Sequence, residues 1–173
     1  MSKNFGYLAA ALGAVALLGA TALPASAADT GDTTATFTLA GGSLDVTVAA
    51  GAELTDGAPG AASVSGSLGA VGVSDTRGST AGWVVSAAST TFVDGATSIS
   101  TGVSYNAGAA TATTGIITAG TDGATDIAAV APVADGTAAS GNNTASFSPT
   151  LTVTLPASAL AGDYQGTVTT SIA

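Results

Sequence analysis

The chain of 173 residues contains no cysteine and no histidine, and only two of its residues are basic. Without cysteine it can form neither a disulfide nor a thiolate nucleophile, and without histidine it has neither a Ser-His-Asp triad nor an imidazole metal ligand. The 11 acidic residues give a formal net charge of −9. This charge excludes binding to nucleic acid or to an anionic membrane, because both depend on clusters of lysine and arginine. Such a surface either attracts cations and amine-bearing polymers or only keeps the chain soluble.

Small residues dominate the chain, with 40 Ala, 28 Thr, 24 Gly and 18 Ser beside 8 aromatic residues. This composition predicts a core of aliphatic and β-branched side chains with little room for a large pocket. Glu53 and the scattered aspartates form no recognisable pair for glycoside hydrolysis. The segment 121–126 lacks the ligand spacing and closing glutamate of an EF-hand, so we interpret it as a loop. We therefore predict a non-enzymatic protein without a cofactor or a metal site.

The amino terminus has the three regions of a secretory signal peptide. A start that contains Lys3 precedes the apolar run 8–18, and Ala25-Ser26-Ala27 follows. This order predicts cleavage after Ala27 and one mature domain, residues 28–173. A membrane anchor is the alternative, but a spanning helix needs ~20 consecutive apolar residues, and here Thr21 and Pro24 break the apolar stretch. The mature chain is expected to be secreted, either extracellular or associated with the cell wall, and to have no membrane partner.

Alternating apolar and polar residues, bounded by turn residues, predict an all-β fold. Asp-Gly pairs, which favour turns, occur at 56–57, 94–95, 122–123 and 135–136. The runs that fit strands are 34–39, 44–48, 64–68, 71–73, 83–87, 99–105, 115–118, 150–155 and 164–172. Many short strands without intervening helices favour an antiparallel β-sandwich, with a β-barrel as the runner-up.

Three expectations concern particular segments. Gly41-Gly42 is expected to join 34–39 and 44–48 as a hairpin. The segment 107–143 is rich in Ala, Gly and Thr, and is expected to hold short strands and a long flexible excursion, with a short helix around 125–130 as an option. Tyr164 begins the last strand and is a candidate corner residue whose hydroxyl bonds back to the backbone.

A more specific pattern lies in the segment 68–88. There Asp75-Thr76-Arg77 follows one apolar run, and Gly82-Trp83 opens the next. Together with the segment 150–170, this order resembles the WxL-type surface domains of Gram-positive bacteria across most of 36–172. The family's first Trp-x-Leu motif reads Trp83-Val84-Val85 here, and no tryptophan stands at the second position. The nearer match is to secreted relatives, typical of actinobacteria, that have only the Asp-x-Arg and Gly-Trp segment.

Four residues are candidate contacts for a wall polymer or another ligand: Asp75, Arg77, Trp83 and Tyr105. Asp75 and Arg77 are two residues apart, so in an extended segment they share a face and can pair. Arg77 then either clamps the turn before Trp83 or grips a ligand carboxylate. Trp83 either packs in the core or forms an exposed platform for a sugar ring, and Tyr105 has the same two interpretations.

Two functions are compatible with these features. The resemblance implies a secreted, non-enzymatic surface domain that associates non-covalently with the cell wall, through a wall polymer or another surface protein. The alternative is a self-assembling envelope or fibre subunit, because the strands have almost none of the lysine and arginine residues that usually protect sheet edges from pairing.

Overall fold

The structure is a computed structural model that describes residues 30–99 and 102–173, so the predicted signal peptide lies outside the described residues. Across these two ranges no helix is long and apolar enough to cross a membrane. The strands are β1 (Leu44–Thr47), β2 (Ser63–Ser67), β3 (Val71–Asp75), β4 (Trp83–Ser89), β5 (Phe92–Asp94), β6 (Thr97–Ile99), β7 (Val103–Asn106), β8 (Thr111–Thr121), β9 (Thr125–Asp126), β10 (Ala131–Phe147), β11 (Thr150–Thr154) and β12 (Val168–Ile172). All of them lie in the unit Thr38–Ala173. The described residues of the unit that ends at Phe37 are exposed and belong to no strand.

The larger sheet is built around β10, and all its pairings are antiparallel. β3 pairs with the carboxyl-terminal part of β10, and β4 pairs with the amino-terminal part. β8 pairs with both of these parts of β10 along one side. β3 and β4 therefore lie end to end along the other side of β10. β1 then adds to β3, and β12 adds to β4. The sheet consequently has β8 at one edge, and β1 and β12 at the other.

The second sheet has the order β2-β11-β7-β9, and β5 and β6 form a separate hairpin. In β11, Leu151 and Val153 are buried while the threonines between and beside them are more exposed, as period-two alternation requires. Side chains from both sheets form one core, to which β3, β4, β7, β10 and β11 all contribute. These antiparallel sheets on a shared core confirm the all-β prediction.

The predicted hairpin at Gly41-Gly42 is wrong. β1 forms as expected but pairs with β3, and the segment 34–39 belongs to no strand. The Gly42 N–H donates to the Thr76 carbonyl at 2.8 Å, and a Cβ at Gly42 would overlap the Thr76 side chain. The two glycines therefore allow a close approach to the β3–β4 connection and do not make a hairpin turn.

The prediction for 107–143 is also wrong in its main feature. This segment contains the two longest strands, β8 and most of β10, and 125–126 is a short strand where a helix was an option. The Asp135-Gly136 pair lies inside β10 and not in a turn. The pairs at 56–57 and 122–123 lie between strands as expected, and the pair at 94–95 starts on the last residue of β5 and enters the turn at Gly95. A Cβ at Gly136 would overlap the Trp83 indole, so packing requires a glycine there.

Candidate functional site

Asp75 and Arg77 form a two-point ion pair in the connection between β3 and β4. Arg77 Nε donates to Asp75 Oδ1 at 3.0 Å, and Arg77 Nη2 donates to Asp75 Oδ2 at 2.9 Å. The Asp75 side chain is 1% exposed and that of Arg77 is 29% exposed. Hydrogen bonding from Arg77 outweighs burial and lowers the pKa of Asp75 below its ordinary value of 3.8. The carboxylate is therefore ionised at neutral pH.

Arg77 also closes the turn that precedes Trp83. Its Nη2 donates to the Gly82 carbonyl at 2.9 Å. Asn143 of β10 donates through Nδ2 to Asp75 Oδ2 at 3.4 Å and accepts from Trp83 Nε1 at 3.3 Å. The four side chains link β3, β4 and β10 in one polar network, which confirms the interpretation of Arg77 as a clamp for this turn.

Trp83 packs in the core and is 2% exposed. The interpretation as a stacking platform is wrong for this fold, because neither face of a buried indole is open to a sugar ring. Asp75 and Tyr105 are equally buried, so three of the four candidate contact residues lie inside the domain and only Arg77 reaches the surface in part. The predicted set thus includes a structural network, and a ligand surface has to be sought elsewhere.

Tyr105 of β7 is buried beside a cavity of about 220 Å³. Burial raises the pKa of its phenol to about 12. Its hydroxyl has no hydrogen-bond partner among the described residues. Tyr164 differs, because its hydroxyl donates to the Leu160 carbonyl at 3.1 Å, and this confirms the predicted bond back to the backbone. The last strand begins at Val168 and not at Tyr164 as predicted.

Removing these two hydroxyls is expected to have opposite effects on stability. Tyr105→Phe should raise the free energy of unfolding by about 1 kcal/mol, since a buried hydroxyl without a partner costs about 1–3 kcal/mol. Tyr164→Phe should lower it by about 1 kcal/mol, the usual contribution of one hydrogen bond. Urea denaturation followed by circular dichroism measures both changes. A clear loss of stability in Tyr105→Phe would contradict the absence of a partner.

An open groove of about 1300 Å³ lies on the surface of the domain. The segment 50–59, the strand β5 and the segment 159–167 contribute most of its lining. Its larger aliphatic side chains and its phenylalanine are Leu54, Val64, Phe92, Val93, Ile99, Val153, Leu155 and Leu160. Its volume exceeds the ~300–1,000 Å³ of typical small-molecule pockets, so it has the dimensions for a segment of an extended polymer.

The charged side chains along this groove are all acidic. Glu53, Asp56 and Asp163 line it, and among residues 30–99 and 102–173 no lysine or arginine does. Nowhere in 30–99 or 102–173 are three acidic side chains grouped closely enough to hold a metal ion. The groove can therefore offer separated carboxylates to a ligand that carries several positive groups.

The outer edge of β8 is a second feature of the surface. β8 has 11 residues, none of them charged or proline, and pairs only with β10 among the strands that the structure describes. Gly115, with φ +77°, divides it into 111–114 and 116–121, and in the longer part the register with β10 is continuous over 118–121 and shifts before Ile116. An uncharged edge of this kind offers unpaired N–H and carbonyl groups to another strand.

Sequence reasoning missed both surface features. The groove is assembled from three distant segments, and no local motif marks it. The edge at β8 had one signal, the absence of charge between Thr111 and Thr121, but the sequence does not tell which strands lie at an edge. Comparisons of the chain with protein-family models, with curated proteins and with solved structures found no match.

Proposed function

We propose that this chain is a secreted, non-enzymatic surface domain that associates non-covalently with an amine-bearing polymer of the cell wall. The acidic groove supports this proposal most directly. The amino-terminal sequence supports export, and the resemblance to WxL-type domains supports the envelope as the destination. The proposal moves the contact surface from the buried Trp83 and Tyr105 to the groove.

The groove combines two kinds of contact. Leu54, Phe92 and Leu155 supply apolar surface along which uncharged parts of a polymer can pack. Glu53, Asp56 and Asp163 supply negative charge, and no basic side chain of the described residues lines the groove beside them. Ammonium groups of the polymer would meet these carboxylates, whereas its anionic groups would be repelled. Binding is therefore expected to weaken as salt concentration rises.

The test is co-sedimentation of residues 28–173 with purified cell-wall sacculi, beside a wall-free control. The wild-type protein should pellet only with walls. The triple variant Glu53→Gln, Asp56→Asn, Asp163→Asn should bind about tenfold more weakly, since exposed ion pairs contribute about 0.2–1 kcal/mol each. Sacculi whose amines have been acetylated should lose binding to the same extent.

A matched triple variant separates the groove from net charge. The matched variant also removes three negative charges, but at exposed positions outside the groove: Asp32→Asn, Asp45→Asn and Asp122→Asn. This variant should bind as the wild-type protein does. Equal weakening of both triple variants would assign binding to net charge alone. No pelleting of the wild-type protein at low salt would refute wall association.

The second candidate function is self-assembly of an envelope or fibre subunit. The observation that favours it is the uncharged outer edge of β8, because native proteins usually protect such edges with lysine, proline or a covering segment. A second chain can extend the larger sheet at this edge by main-chain hydrogen bonds. Sedimentation velocity at increasing protein concentration tests it, and a monomer at every concentration would contradict it.

A further inference from the structure

The segment 34–39 has the residue pattern of a β-strand but pairs with no strand in the structure. Ala35, Phe37 and Leu39 alternate with threonine, which predicts one apolar and one hydroxylated face. In the structure the segment belongs to no strand, and Phe37 and Leu39 are 87% and 86% exposed. Two large apolar side chains this exposed, at alternate positions, mark a surface that another chain can bury.

The outer edge of β8 has the complementary properties. The part of β8 after Gly115, 116–121, has six residues, of which 118–121 pair with β10 in continuous register. Ile117 and Ala119 pack against the core but stay only partly buried. Their outer sides are open because the sheet ends at β8. If a strand is added here with Phe37 and Leu39 on the same face as Ile117 and Ala119, its apolar side chains extend the core beyond β8.

The segment cannot reach this edge within its own chain. A backbone hydrogen bond to Thr76 fixes Gly42 at the start of β1. Three strands, β3, β10 and β8, lie between β1 and the position of the added strand. That distance is four strand spacings, about 19 Å. Leu39 is three residues before Gly42, and this stretch spans at most about 11 Å. The edge of another copy is not subject to this limit.

We infer that the segment 34–39 of one copy pairs as an added antiparallel strand with 116–121 of a second copy. This inference rests on the second candidate function, self-assembly, and specifies its interface. Donor and acceptor are different surfaces of the same chain, so the contact is head to tail. Repetition of a contact that does not close gives an open fibre, each copy donating one strand and accepting one.

Sedimentation velocity of residues 28–173, which include β1 to β12, tests this pairing. The wild-type protein should form species larger than a dimer as concentration rises. Two donor substitutions, Phe37→Asp and Leu39→Asp in one variant, should leave it monomeric without affecting the fold, because both side chains are exposed. The acceptor variant Thr118→Lys should also be monomeric, since a charge in the middle of the edge opposes pairing.

Mixing the two variants gives the decisive result. The donor variant keeps an intact acceptor and the acceptor variant keeps an intact donor, so an equimolar mixture should form a one-to-one dimer and nothing larger. The matched substitutions Val130→Asp and Ser98→Lys, at exposed positions elsewhere, should assemble as the wild-type protein does.

Three other outcomes would overturn the inference in distinguishable ways. Assembly that persists in the donor variant would keep self-assembly but reject this donor. A mixture that stays monomeric would reject the pairing of the two segments. A wild-type protein that is monomeric throughout would reject self-assembly as well as strand donation. Sedimentation of the monomeric variants with sacculi reports on wall association separately.

Discussion

Replacement of Trp83 by alanine is expected to lower the free energy of unfolding by about 3–5 kcal/mol, the usual range for removing a large aromatic side chain from a core. The indole is buried in the core that both sheets share. It lies against the backbone of Gly136, so alanine would leave a cavity between β4 and β10. The substitution would also remove the hydrogen bond from the indole N–H to Asn143. This loss is a large part of the stability of an ordinary domain.

Denaturant unfolding followed by far-ultraviolet circular dichroism measures this loss, because the variant has no tryptophan to report by fluorescence. Trp83→Phe is the control, since it keeps an aromatic ring in the core but removes the N–H donor. It should cost less than the alanine variant. An alanine variant with wild-type stability and reduced binding to sacculi would contradict a structural role and restore Trp83 as a contact residue.

The strand prediction succeeded where one face of a strand is buried and the other is solvated. In 150–154, apolar residues alternate with threonine, and the strand formed as predicted. The last strand, predicted over 164–172, formed only over 168–172. The prediction failed for β10 because that strand contacts three neighbours, so its burial pattern is irregular. Gly136 illustrates the failure, because an Asp-Gly pair that favours a turn is needed inside the strand to make room for Trp83.

The polar network was only half predictable. The two-residue spacing of Asp75 and Arg77 predicts their ion pair, because local spacing determines which side chains share a face. Asn143 completes the network from 68 residues away in the sequence, and its position depends on the register between β3 and β10. No single-sequence pattern reports such a register. The groove could not be predicted for the same reason, because it forms where three segments that are distant in the sequence come together in the fold.

Replacement of Asp75 by alanine is expected to lower the free energy of unfolding by about 2–3 kcal/mol, because buried donors would lose their acceptor. Three hydrogen bonds from Arg77 and one from Asn143 end on this carboxylate. Removing it would free the turn that Arg77 holds at Gly82. Denaturant unfolding at neutral pH measures the loss. An alanine variant as stable as the wild-type protein would show that the network does not stabilise the fold.

The charge of Asp75 can be separated from its shape by the variant Asp75→Asn and by pH. Folding lowers the pKa of Asp75, so its ionised form stabilises the folded state at pH values above its ordinary value of 3.8. The contribution falls as pH decreases through 3.8 and is lost below the lower pKa of the folded state. The wild-type protein should therefore be more stable than Asp75→Asn at neutral pH, and the difference should shrink in acid. A difference that stayed constant between pH 7 and about pH 3 would assign the effect of Asp75 to shape and not to charge.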